Sequence, residues 1–146
     1  MIDPLEAVIA YLDSQPTLTA LVEGRIAPKH KFAMTGAGGW PTPAKAVLVR
    51  VIPGAPPDLY GGTARVRLEA RCFGDGQVEA MEVYRALMDV VGQTKKCVVT
   101  LSNDQKALLY FLVPEYGSPE FGMDPDVKVD VALTYLRASV AQQAVP

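Results

Sequence analysis

The chain has little of what enzymes and metal proteins are usually built from. Among its 146 residues there is one histidine, His30, and two cysteines, Cys72 and Cys97. Any nucleophile–imidazole pair or histidine-rich metal cluster would have to be assembled around His30, which sits in a glycine- and proline-rich stretch. The cysteines lack the paired Cys-x-x-Cys spacing of a zinc site and are too few for a disulfide framework, so both read as reduced core residues. No Walker phosphate loop is present. Gly74-Asp75-Gly76-Gln77-Val78-Glu79 starts like a dinucleotide fingerprint but puts glutamate where the third glycine belongs, and reads as a turn. A net charge of -2 gives no field to attract nucleic acid or an anionic membrane. No apolar run is long enough to cross a bilayer, and the start, Met1-Ile2-Asp3-Pro4-Leu5-Glu6, lacks the basic region of a secretory leader. The expectation is a protein of a cytosol-like compartment, with no catalytic residues, no cofactor and no metal.

What the chain does have is apolar material in regular patterns. Apolar residues make up 49% and charged residues 21%, and a domain of this length buries roughly 68–70% of its unfolded surface. One domain over residues 1–146 is therefore expected. The most informative stretch is Thr63–Gly92. Arg65, Arg67, Glu69 and Arg71 alternate with Val66, Leu68, Ala70 and Cys72, the period of a half-buried strand. After Gly74-Asp75-Gly76 the period changes. Val78, Met81, Tyr84, Leu87, Met88 and Val91 then predict one apolar stripe on a helix over 75–91, with Asp75 as its cap.

Around this unit the remaining elements follow. Asp3 and Pro4 start a helix that ends near Ser14, with Leu5, Val8, Ile9 and Leu12 as its stripe. Thr17–Val22 adds one or two turns closed by Gly24, and Arg25-Ile26-Ala27 begins a short strand. Pro28–Pro43 reads as a long loop, Ala44–Ile52 as a valine-rich strand, and Pro53–Gly62 as the turn of a hairpin arm whose partner is Thr63–Phe73. Lys96–Ser102 and Lys106–Pro114 predict a second strand pair, with Val98, Val99, Leu101, Leu108, Leu109, Phe111 and Leu112 as core. Glu115–Pro125 reads as an irregular loop, Asp126–Arg137 as the last strand and Ala138–Pro146 as a tail. The fold class is α+β: a mixed, largely antiparallel sheet packed against a central amphipathic helix, with a short N-terminal helix beside it.

Two sets of residues stand out as candidate contacts. Arg65, Arg67 and Arg71 form a basic strand face that is either solvated and balanced by Glu69, or a subunit contact or wall beside passing DNA. Trp40, Leu59, Tyr60, Tyr116 and Phe121 fall in loops, where large apolar side chains either pack back or meet a partner.

The order of elements resembles the tail completion or tail terminator proteins of long-tailed bacteriophages. The likeness runs from Leu5 to about Leu136. It rests on the turn Leu21-Val22-Glu23-Gly24-Arg25-Ile26, the proline-preceded valine strand, the hairpin arm, and the strand end Arg71-Cys72-Phe73-Gly74 leading into the helix. The resemblance implies a non-enzymatic virion protein, assembled in the host cytoplasm and placed in the tail or neck. Its partners would be other copies of itself in a ring, usually a hexamer, the tail tube protein, and the connector or stopper of the head. DNA would only pass through the channel. Other expectations stay open beside it: a different neck component such as a head completion or minor tail protein, a small-ligand regulatory module, and, furthest from the sequence, a hydrolase.

Overall fold

The computed structural model describes residues 3–29, 31–32, 39–52, 58–60, 63–92, 96–115, 119–126 and 128–142, with the backbone alone at 58–60 and 142. Among the described residues, three helices and eight strands build one α+β domain around a curled mixed sheet. The chain begins with α1 (Pro4–Asp13), where the Asp3 side chain accepts the Leu5 N–H and proline occupies the first turn. Next comes α2 (Pro16–Val22). It is closed by two left-handed residues in succession, Glu23 (φ 52°) and Gly24 (φ 76°), not by the glycine alone.

Two long strands form the middle of the sheet. β4 (Thr63–Gly74) and β8 (Asp130–Gln142) pair antiparallel from Thr63 opposite Ala141 to Gly74 opposite Asp130. On the free edge of β4 lie β2 (Ala46–Val51), from Ala46 opposite Phe73, and β3 (Asp58–Tyr60), opposite Thr63 to Arg65. Both strands thus pair antiparallel with the expected partner of the hairpin arm, and the segment read as its turn contains β3; residues 53–57 and 61–62 lie outside the described residues. β1 (Ile26–Ala27) adds to β2 as the parallel pair of the sheet. On the free edge of β8 lie β6 (Lys106–Pro114), with β5 (Cys97–Thr100) outside it, and β7 (Glu120–Met123).

Two expectations about the C-terminal third are corrected by this pairing. The segment read as an irregular loop contains β7, and the last strand starts later and runs further than Asp126–Arg137, taking up Ala138 to Gln142, which were expected as tail. Both errors have one cause. Short segments holding Gly122, or the small residues Ala138, Ser139 and Ala141, carry weak strand propensity of their own, and partner strands decide their conformation.

All three helices pack on one face of the sheet. α3 (Gln77–Gly92) crosses it and buries Ala80, Val83, Leu87, Val90 and Val91 against Val66, Leu68, Ala70, Cys72 and Leu136. The Tyr11 hydroxyl of α1 donates to the Val90 carbonyl at 3.2 Å, tying the two helices together. The stripe of α3 is rotated from the expected one: Val78 is 83% exposed, and Met81, Tyr84 and Met88 lie at the margin. Gly74 explains the rotation. A Cβ at that position would stand 2.5 Å from the Ala80 nitrogen, so the strand end and the helix backbone touch where Gly74 meets Ala80. Ala80 must then face the sheet, and Val78 falls on the opposite side of the helix. Asp75 is exposed and the helix begins after Gly76, whose N–H donates to Asp130 Oδ2 at 3.1 Å. That carboxylate, contributed by β8, stands beside the helix start in the place expected of Asp75.

Candidate functional site

The face of the sheet turned away from the helices carries the charged residues, and it divides into three zones. At the end nearest the start of β8, Phe73 is fully buried beneath Phe32 and Trp40. The Phe32 ring stands edge-on to Trp40 at 5.2 Å and to Phe73 at 5.1 Å between centroids, and the Trp40 N–H donates to the Lys31 carbonyl at 2.8 Å. Ala46, Leu48 and Val129 complete this second core. Of the two alternatives for the loop aromatics, Trp40 takes the packed-back one.

The middle zone is an ion-pair network. Arg71 donates from Nε to Glu69 Oε1 and from Nη1 to Asp124 Oδ2, both at 2.6 Å, and Arg50 approaches Glu69 at 3.1 Å. Glu69 and Asp124 are buried, so their charges require these partners. Asp124 also accepts the Asp126 N–H at 2.9 Å, which ties the turn after β7 to β4. One strand step away, Arg67 grips Glu115 with two hydrogen bonds of 2.6 and 2.8 Å, and Arg137 reaches the same carboxylate at 3.0 Å. The hydrogen bonds from Arg67, with Arg137 assisting, hold the Glu115 carboxyl down at about 2. Arg67 and Arg71 are thus paired within the chain and do not form a free basic wall; Arg65 is exposed, opposite Asp58 and Ser139 in register.

The third zone is apolar and open. On β5 and β6, Val98, Tyr110 and Val113 are exposed, and Leu108 and Phe111 are only partly covered. Val98, Leu108 and Phe111 were expected as core. The register places them on the bare face instead: Val98 pairs with Leu108, Leu108 with Ala141, and Phe111 with Ser139 across a bulge at Tyr110. A run such as Leu108-Leu109-Tyr110-Phe111-Leu112-Val113 is apolar toward both faces, and that lack of alternation was the signal that one face needs cover of its own.

The remaining sequence candidates separate as follows. Phe121 is exposed on β7, with Met123 beside it. Leu59 and Tyr60 lie in β3, with side chains outside the described residues; Tyr116 and His30 also lie outside them. Cys72 is buried and its thiol is pushed up to about 12 by burial, while burial raises Cys97 less; both are free thiols, and neither is poised as a nucleophile. Among the described residues no three His, Cys, Asp or Glu side chains gather as a metal site would need, and no helix is long and apolar enough to cross a membrane.

The two local motifs that carry the family resemblance both have structural roles. Glu23 and Gly24 make the left-handed turn, and Arg25 Nε then donates to the Lys45 carbonyl at 2.8 Å, pinning β1 to the start of β2. Phe73-Gly74 seats the second core and the helix. No protein-family model matches this sequence, and no curated protein matches it.

Proposed function

We propose that this chain is a structural subunit of a long-tailed phage, a tail terminator that forms a ring on the finished tail tube and offers a surface to the head connector. The observation that supports it most directly is the third zone: an open sheet face with Val98, Tyr110 and Val113 exposed beside the edge strand β5, which calls for a protein partner more than for a substrate. The order of elements supports it as well. Two helices, a short strand, a hairpin arm and a strand running straight into the main helix follow one another as in the family that the sequence resembles. The Arg and Glu side chains that could have served chemistry hold one another in place.

The test is assembly. The purified chain should form a closed ring of several copies by native mass measurement and should bind the ends of purified tail tubes. A phage lacking the chain should make tails of uncontrolled length or tails that do not join heads. Normal infectious particles without it would overturn the reading.

A further inference from the structure

Two exposed apolar patches lie on opposite faces of the sheet and carry opposite charge. On the bare face, the three exposed side chains of β5 and β6 are ringed by Lys96, Lys106 and Arg137. The Lys96 ammonium stands 5.1 Å from the Tyr110 ring centre, and Lys106 donates to Thr100 at 2.6 Å. Arg137 shares the single carboxylate of Glu115 with Arg67, so two guanidinium groups meet one anion and the spot stays cationic.

On the helix-bearing side, Val78, Phe121 and Met123 are exposed. Phe121 and Met123 sit two residues apart on β7, opposite Ala132 and Asp130, which directs both toward the start of α3. Gln77 and Phe121 line one shallow cavity there of about 160 Å³. The charged residues at the start of α3 are acids, Asp75 and Glu79, joined by Asp130 at the Gly76 N–H, with Asp126 and Lys128 between β7 and β8.

We infer that the two patches are the halves of one head-to-tail contact, the acidic patch of one copy seated on the basic patch of the next. This rests on the reading of the chain as a ring subunit. Each patch has an apolar centre and a charged rim, as protein interfaces do, and the rims are complementary in sign. Because the patches face opposite ways, a two-fold pair cannot satisfy both at once. The contact is heterologous and closes only through a rotation that returns to the first copy.

Charge reversal tests it on the full chain. Asp75→Lys with Glu79→Lys makes the acidic patch basic, and Lys96→Glu with Lys106→Glu makes the basic patch acidic. Each double variant alone should keep its thermal melting and self-associate at least about tenfold more weakly by sedimentation. An equimolar mixture should recover assembly, because every contact between unlike variants again joins opposite charges. Should either reversal unfold the chain, Met123→Ser and Val113→Ser, one from each patch, pose the same question and should each weaken association. Assembly unchanged in both double variants, or no recovery on mixing, overturns the contact while leaving the tail-terminator reading to its own test. Rings that depend on these charges but ignore tail tubes would sustain the contact and sink that reading.

Discussion

The two faces of the sheet are built from the same strands and obey different rules. Under the helices, burial dominates: Leu68, Leu87, Leu109, Leu112 and Leu136 are fully enclosed, and this core cluster is built of apolar residues. On the outer face, β4 passes from the aromatic cover over Phe73, through the Glu69 and Arg71 pairs, to exposed Arg65 within a single strand. The lesson is that a strand face is not one environment. Each pair of residues takes the surroundings its neighbouring strands bring to it.

Substitutions can sharpen that contrast. Trp40→Ala should be among the most costly changes, about 3–5 kcal/mol in urea unfolding, because it opens the second core over Phe32 and Phe73. A loss below about 0.5 kcal/mol would mean that the outer cover is dispensable. Leu87→Ala, fully enclosed on the helix side, should cost about 2–5 kcal/mol by the same measurement. If Trp40→Ala proved negligible beside it, the two faces would not share the stability.

Arg71→Ala strips buried Asp124 of its cation and leaves buried Glu69 with Arg50 alone, and should cost about 3 kcal/mol. Replacing Arg71, Glu69 and Asp124 together with apolar residues should restore part of that loss, and calorimetry of the two variants would separate pairing from packing. Glu115 behaves more gently. Its carboxyl is held at about 2 against an ordinary 4.5, so its contribution is complete above pH 4.5 and is lost as pH falls through about 2. Thermal melting between those values should fall less steeply in Glu115→Gln, and an identical slope would remove Arg67 and Arg137 as its partners. Smallest of all, Val98→Ser should change stability by no more than about 1 kcal/mol, since about half of that residue, 48%, is open to solvent. A larger loss on unfolding would show that the side chain is enclosed after all.

Much of this organisation was legible in the residues. The alternation from Thr63 to Gly74 gave the correct inner face, and Asp3-Pro4 gave the correct helix start, because both signals are local. The rotation of α3 was not legible. Val78, Met81 and Tyr84 make as good a stripe as Ala80 and Val83 until Gly74 is seen touching Ala80, and that contact joins two elements. The candidate surface was half visible. Phe121 was singled out from its loop-like surroundings and is exposed, whereas Trp40 had the same sequence signature and is enclosed by Phe32. Nothing local distinguishes the two. Val98, Tyr110 and Val113 were hidden for the opposite reason, inside a run apolar enough to pass for core.

The pairing of β4 with β8 also fixes an order of events during synthesis. Thr63 must wait for Ala141, so the middle of the sheet closes only after the whole of β8 has been made. Until then β2 and β4 can form their hairpin, but the far edge of β4 has no intramolecular partner. β7 likewise has no strand to join before β8 exists, and β6 has only β5. The domain therefore acquires its central ladder in one late step dominated by distant contacts, which makes folding slow relative to helical proteins of its size. Strand capture by a neighbouring nascent chain is the hazard of that interval, and the arginines alternating along β4 keep its waiting edge charged and soluble.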